Sequence, residues 1–298
     1  MLREKQLDGT FYDKVSVAIE RILTMAPIAE RIYGEYTVMV SGGKDSTVIT
    51  DLAIRAGVKC RFEMSWTGIE YPETVYFLRR EKQRIEELGY SFEFIIPQDK
   101  DGNRITMWRL IEKYGFPSRQ MRFCCKELKE SAGKNAFCIL GIRWAESASR
   151  KNNRYLYEQK GKKIITNNDN EATRRITENC MKKNKYMLNP IIEWTDDEVW
   201  EYIKEYNLPY NPLYDYGFKR VGCIGCPLRS NKEELENFPK WAALYKKAAK
   251  KYLENNKTKK EGNKENIEIY YNWWIEFCSN NNNENDGGNY DLFGSDKH

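Results

Sequence analysis

Histidine is almost absent from this chain: among 298 residues it occurs once, as His298 at the last position. General-base and zinc schemes built on imidazole therefore have next to no material. Long apolar runs are missing as well. No stretch approaches the roughly 18 residues of a membrane-spanning helix, and the opening Met1-Leu2-Arg3-Glu4-Lys5 has no apolar centre of the kind a secretory signal needs. A cytoplasmic location without membrane partners is expected. A strong excess of one charge is also lacking, since 49 basic residues interleave with 44 acidic ones for a net +5. That balance leaves a nucleic-acid partner open without requiring one. No internal repeat occurs. Cysteine, by contrast, is present eight times, and in a reduced compartment its local spacing points to metal or redox chemistry rather than disulfides.

The most informative stretch is Tyr36-Thr37-Val38-Met39-Val40-Ser41-Gly42-Gly43-Lys44-Asp45-Ser46. A short β-branched strand runs directly into a glycine turn and then into a helix reaching Ala56. Gly42 and Gly43 let main-chain N–H groups approach an oxyanion, and the helix N-terminus adds its positive dipole end. Lys44 supplies a point charge, Ser41 and Ser46 hydroxyls. The spacing is not that of the Walker A loop, which places four residues between its glycines and closes on Lys-Ser/Thr.

The rest of the chain organises around this unit. Residues 11–34 carry a helical apolar pattern, read as one helix or a pair broken near Pro27. Strands follow at 37–40, 59–64, 91–97 and 136–142, with helices over 46–56 and 72–88 between the earlier ones. This alternation predicts an α/β fold with a doubly wound parallel sheet, whose ligands sit at the carboxyl ends of the strands. Lys151 to Lys185 is a charged insertion, read as a solvated hairpin or loop. Helical patterns return over 194–206, capped at Thr195 or Asp196, then over 233–254 and 266–277. The expected organisation is an N-terminal helical segment (1–34), one main domain (35–230), C-terminal helices (231–278) and a flexible tail (279–298) with little to bury.

A vicinal pair, Cys124-Cys125, and a turn, Cys223-Ile224-Gly225-Cys226, together supply four thiolates of the number that closes a zinc site or holds an iron–sulfur cluster. Arg122, Lys126, Lys129, Arg220 and Arg229 lie close to them in sequence and would favour thiolates. Buried structural cysteines are the plainer alternative. Cys60 and Cys138 read as small strand hydrophobes, and Cys180 and Cys278 lack partner spacing.

Taken in order, Ser41 to Ser46, Thr67-Gly68-Ile69-Glu70-Tyr71-Pro72-Glu73-Thr74, Cys124-Cys125-Lys126, the stretch from Gly141-Ile142-Arg143 to Arg150, Asn189-Pro190-Ile191-Ile192-Glu193-Trp194 and Cys223 to Cys226 resemble the phosphoadenosine phosphosulfate (PAPS) reductase family. That family lies within the PP-loop ATP pyrophosphatase superfamily, which has the adenine nucleotide alpha hydrolase-like fold. The resemblance implies a nucleotide site made by Ser41, Gly42, Gly43, Lys44, Asp45, Ser46, Thr67, Gly68, Gly141, Arg143 and Arg150. Lys44, Asp45 and Arg143 would carry the chemistry: Lys44 holds the leaving pyrophosphate, Asp45 places Mg2+ and Arg143 binds the activated nucleotide. It also implies a 4Fe-4S cluster on Cys124, Cys125, Cys223 and Cys226, with zinc as the competitor. Each position has a plainer role too. Arg143 and Arg150 suit structural ion pairs, Thr67 and Gly68 a simple turn, Glu73 an exposed first helical turn, and Trp194 and Trp200 core anchors.

Two departures shape the expected reaction. The Phe277-Cys278-Ser279-Asn280 segment does not match the Glu-Cys-Gly-Leu-His-like segment whose cysteine attacks sulfur in the family's reductases. The glycine loop, however, is intact in the form suited to ATP. The resemblance thus points to an ATP-using enzyme of sulfur metabolism, an adenylylating sulfur transferase served by a sulfur donor such as a cysteine desulfurase. A thioredoxin-dependent PAPS or adenylylsulfate (APS) reductase stays open. So does an inactive nucleotide-binding partner in a nucleic-acid-modification complex.

Overall fold

The structure is a computed structural model and describes residues 2–5, 11–130, 132–159, 162–166, 186–229, 232–256 and 267–280. The run Asn167-Asn168-Asp169-Asn170, Cys180 and the segment beyond 280 lie outside the described residues. The chain divides into two compact units, residues 1–107 with 123–223 and residues 108–122 with 224–298.

In the first unit, β1 (Arg3–Lys5) and β2 (Phe11–Asp13) form a small antiparallel hairpin ahead of α1 (Lys14–Tyr33). Asp13 caps α1, its carboxylate accepting from the Val15 N–H at 3.1 Å. Pro27 lies inside α1 without dividing it. Burial of Met25, Ala26, Ile28 and Ala29 around it offsets the roughly 3 kcal/mol that an interior proline costs. The α/β unit continues through β3 (Tyr36–Met39), α2 (Lys44–Ala56), β4 (Cys60–Ser65), α3 (Pro72–Glu87) and β5 (Phe92–Ile95). The helix α4 (Met107–Tyr114) starts at the end of this unit's first segment. After β6 (Phe137–Ile139) come α5 (Ala148–Asn153), β7 (Tyr157–Gln159), β8 (Lys162–Thr166), β9 (Tyr186–Leu188) and α6 (Asp196–Glu205).

These strands make one seven-stranded sheet in the order β5-β4-β3-β6-β9-β7-β8. β5, β4, β3, β6 and β9 are parallel, with Tyr36 paired to Cys60 on one side and Phe137 on the other. β7 and β8 add an antiparallel hairpin at the edge, formed by the start of the charged insertion. The chain winds outward from β3 to β5, then returns to the opposite side of β3 to place β6 and β9. That reversal puts a topological switch point between β3 and β6, where open α/β sheets bind their ligands. Val38, Phe62, Ile139 and Leu188 are buried on the central strands, as near-continuous apolar runs in parallel strands require. Cys60 and Cys138 are buried among them. Trp194 is also buried and Trp200 packs against the same core.

The second unit is helical and aromatic. It holds the residues of α4 from Trp108 onward, α7 (Lys232–Asn237), α8 (Pro239–Asn255) and α9 (Ile267–Asn280). The single helical pattern expected over 233–254 is in fact two helices. Pro239 has no N–H to continue α7 and instead occupies the first turn of α8. Phe116 stacks on Trp274 with ring centres 4.4 Å apart and planes 5° from parallel. The Trp274 indole N–H donates to the Pro117 carbonyl at 2.9 Å, so its polar atom stays satisfied when buried.

Candidate active site

The loop after β3 has the shape its glycines require. Gly42 has φ +75°, and a Cβ there would lie 2.9 Å from Thr74 Cγ2, so any side chain meets both backbone strain and a neighbour. Asn211 fixes the turn from outside: its amide donates to the Gly42 carbonyl at 3.2 Å and to Thr74 Oγ1 at 2.9 Å. Ser46 Oγ donates to the Gly43 carbonyl at 2.7 Å, with Ser41 Oγ 3.2 Å away.

Gly43 is the N-cap of α2 and offers no capping side chain. The contrast with α1 and α6 is informative, since Asp13 and Thr195 cap those helices with their own oxygens. The Lys44 N–H is held by Tyr214 Oη at 2.9 Å. Burial pushes the Tyr214 phenol up to about 12, with the Lys44 N–H pulling the other way, so it stays protonated at neutral pH. An uncapped N-terminus behind a glycine turn is suited to an anion.

This loop borders a cavity of about 290 Å³ at the carboxyl ends of β3, β4 and β6. The size is near the lower end of the roughly 300–1,000 Å³ of small-molecule sites. Ser41, Gly43, Asp45, Ser46, Thr67, Gly141 and Arg150 line it, whereas Gly42, Lys44, Gly68 and Arg143 are not in the lining. Lys44 is 5% exposed, its ammonium 3.4 Å from Asp196 Oδ1 and 4.0 Å from Asp45 Oδ2. Arg143, 1% exposed, braces the floor of the site. Its guanidinium donates to Asp45 Oδ1 at 2.6 Å, the Trp194 carbonyl at 3.1 Å and Asp196 Oδ1 at 2.5 Å. Burial works against the Asp196 charge, but the Arg143 hydrogen bond and the Lys44 charge hold its carboxyl below the usual range.

Gly141 serves close packing. A Cβ there would lie 2.8 Å from the Asp45 carbonyl oxygen, so the segment after β6 can approach α2 only with glycine. Arg150 pairs with Glu146, which Arg220 approaches at 4.0 Å. Burial, then Arg220 and Arg154, depress the Arg150 pKa to about 10. It remains a cation at neutral pH in a locally positive field.

Thr67 and Gly68 form a tight turn around Glu70, whose carboxylate accepts from the Thr67 N–H at 2.8 Å, the Thr67 hydroxyl at 2.6 Å and the Gly68 N–H at 2.9 Å. Glu73 is half-buried, and one of its carboxylate oxygens is buried without a hydrogen-bond partner among the described residues. Asn211, Tyr214 and Asp196 are site residues that the motifs did not single out. Only the Asn211-Pro212 dipeptide carries a signal, for a turn.

The cysteines divide between the units. Cys223 lines the cavity, 3.8 Å from Thr67 Oγ1. Cys125 begins a π-helical turn, Cys125–Lys129, that reaches the same region through Ser65 Oγ donating to the Leu128 carbonyl at 2.9 Å. Cys226 belongs to the second unit. All four are thiols rather than disulfides, right in kind for iron–sulfur or zinc. Among the described residues, however, no three His, Cys, Asp or Glu side chains form a group arranged to hold a metal. Magnesium asks less of the protein, commonly one or two carboxylates plus phosphate oxygens, and Asp45 on the cavity wall meets that demand.

Fold and cavity thus define an α/β protein with a glycine turn and a cavity at its switch point. The chain belongs to the phosphoadenosine phosphosulfate reductase domain family, whose model matches residues 35–229. It is 30% identical over 221 residues to an uncharacterized protein of Methanocaldococcus jannaschii, covering 70% of this chain and 46% of that one. The chain spans about half the length of that relative, and 44% of a second from the same organism. It is 26% identical to adenosine 5'-phosphosulfate reductase 2 of Bacillus subtilis, over 73% of this chain and 84% of that protein. A PAPS reductase from Candida auris, solved as a phosphate complex, aligns with TM-score 0.44 and 15% identity over 75% of this chain and 98% of that one. No helix among the described residues is long and apolar enough to cross a membrane.

Proposed function

We propose that this chain is an ATP-using adenylylating enzyme of sulfur transfer, cutting ATP between its α- and β-phosphates. The observation that carries the reading is the Ser41–Ser46 turn, set at the uncapped N-terminus of α2 and opening into a cavity at the switch point. The family supports an adenine nucleotide. An acceptor oxygen attacks the α-phosphorus, the bond to the bridging oxygen breaks, and pyrophosphate leaves with the electron pair. In this reading the first-turn N–H groups of α2 and the Ser41 and Ser46 hydroxyls hold the leaving pyrophosphate. Lys44 moves from Asp196 to the phosphates. Asp45 would hold magnesium, which neutralises phosphate charge. Arg143 fixes Asp45, and Arg150 faces the adenylyl phosphate. Positioning and preorganised charge supply most of the rate.

An iron–sulfur centre on Cys124, Cys125, Cys223 and Cys226, and a dedicated sulfur donor, belong to this proposal as separate claims. The named APS reductase relatives favour a second reading, thiol-dependent reduction. Cys278 is ill-suited to serve it: the side chain is buried, and burial pushes its thiol up to about 12, far from a reactive thiolate. The deciding experiment follows pyrophosphate from ATP and sulfite from PAPS in anaerobically purified protein. Pyrophosphate release that depends on an intact Lys44 supports the ATP reading. Efficient thioredoxin-dependent sulfite production without ATP turnover replaces it with the reductase.

A further inference from the structure

The segment Tyr210 to Val221, which carries Tyr214 into the site, also builds a rim that neither the loop nor the cysteines use. It is firmly tied. Asn211 caps its first turn, and Phe218 packs edge-on against buried Tyr71 at 5.3 Å. The Gly217 and Phe218 N–H groups donate back to Tyr214 and Leu213. Tyr210 stands edge-on to Trp200 at 5.4 Å, its hydroxyl donating to Asp215 at 2.9 Å. On this rigid base Tyr216 is 74% exposed and Tyr210 37%. Lys219 is exposed beside Arg220, whose side chain is 60% exposed and also lines the cavity.

Three guanidiniums gather where the rim meets the cavity, with Glu146 and Asp45 among them. Glu146 is shared by Arg150 and Arg220. Arg154 adds a third cation close enough to depress Arg150. Exposed aromatic rings on a tied segment, followed by cations, match the physics of single strands, in which bases stack on rings and phosphates follow positive charge. A duplex would leave the rings without unstacked bases, and an acidic peptide would use only the charges.

We propose that Tyr210, Tyr216, Lys219 and Arg220, with Arg150 at the cavity mouth, bind single-stranded nucleic acid. That the strand is the acceptor presented to the cavity rests on the ATP reading; the binding itself does not.

Fluorescence anisotropy on the full chain tests it, using a labelled dodecanucleotide as DNA and as RNA, the matching duplex, and polyglutamate. The single strand is expected to bind more tightly than the duplex and polyglutamate, and the DNA and RNA arms identify which strand is preferred. Tyr216→Ala should weaken binding about five-fold or more, with Tyr216→Phe restoring it. Lys219→Ala should reduce the salt slope by about 0.7. Tyr216 projects into solvent, so its loss leaves the fold intact. Absent binding, equal affinity for polyglutamate, or a Tyr216→Ala variant that binds like wild type overturns the proposal. ATP affinity measured on the same samples keeps the two readings apart. If wild type fails to bind ATP yet shows these strand effects, the ATP reading falls and the rim stands.

Discussion

Lys44 and Gly141 show how single residues set this site. The Lys44 ammonium lies 3.4 Å from Asp196, and in the proposed reading its transfer to a phosphate exchanges one charged partner for another. Lys44→Ala should therefore weaken ATP binding by about 1.5–3 kcal/mol, the worth of a charged hydrogen bond, while the circular dichroism spectrum is unchanged. Unaltered ATP affinity in a folded variant removes Lys44 from the phosphate site. Gly141→Ala tests packing rather than charge. The added methyl meets the Asp45 carbonyl at 2.8 Å, and such overpacking costs about 1–3 kcal/mol, readable as a lower urea midpoint with weakened ATP binding. The glycine loop was legible in the sequence because strand, turn and helix are contiguous there. Arg143 was legible as a residue but not in its placement. That it spans Asp45, Trp194 and Asp196 depends on three segments meeting in space. Asn211 and Tyr214 act through docking that no local pattern encodes.

At the scale of elements, four of the five parallel strands and the helices between them followed from apolar runs separated by helical patterns, whereas β9 at Tyr186–Leu188, three residues long and directly after the charged insertion, did not. The boundaries moved by up to three residues, as cap geometry and not periodicity sets them. Thr195 caps α6 in a reciprocal box with Glu198, a signal present in the sequence. The division of α7 from α8 at Pro239 was equally available, but the helical apolar pattern runs through it. The turn Cys223–Cys226 carries its own device. The Gly225 N–H donates to Glu234 of α7 at 2.6 Å, and Arg229 pairs with the same carboxylate at 2.7 Å. Burial pushes the Glu234 carboxyl up to about 7, against the pull of the Gly225 N–H. With a folded pKa above the unfolded one, its contribution to stability is fully present below about pH 4.3 and is lost as pH rises through 7. Chemical unfolding between pH 4 and 8 should show that decline in wild type and a flatter profile in Glu234→Gln. Parallel profiles for the two proteins contradict the assignment.

Across the whole molecule, an α/β unit carries the Ser41–Ser46 turn, and a helical unit, rich in stacked aromatic rings, carries Cys226 and Cys278. The second unit was legible only as helical segments, since the joining of 108–122 to 224–298 depends on long-range aromatic contacts that periodicity does not report. The cysteine proposal is settled by composition: anaerobically purified protein should contain about four iron and four sulfide per chain if the cluster forms. Stoichiometric zinc without sulfide removes the iron–sulfur part and leaves the nucleotide site untouched. The central claim is that the Ser41–Ser46 turn is built for a pyrophosphate group. Titration calorimetry of ATP and AMP against wild-type protein with magnesium tests this most directly. ATP should bind at least about ten-fold more tightly than AMP, a difference of about 1.4 kcal/mol, and inorganic pyrophosphate should compete with ATP; equal affinities for ATP and AMP, with no competition by pyrophosphate, would mean that the turn does not hold a pyrophosphate group.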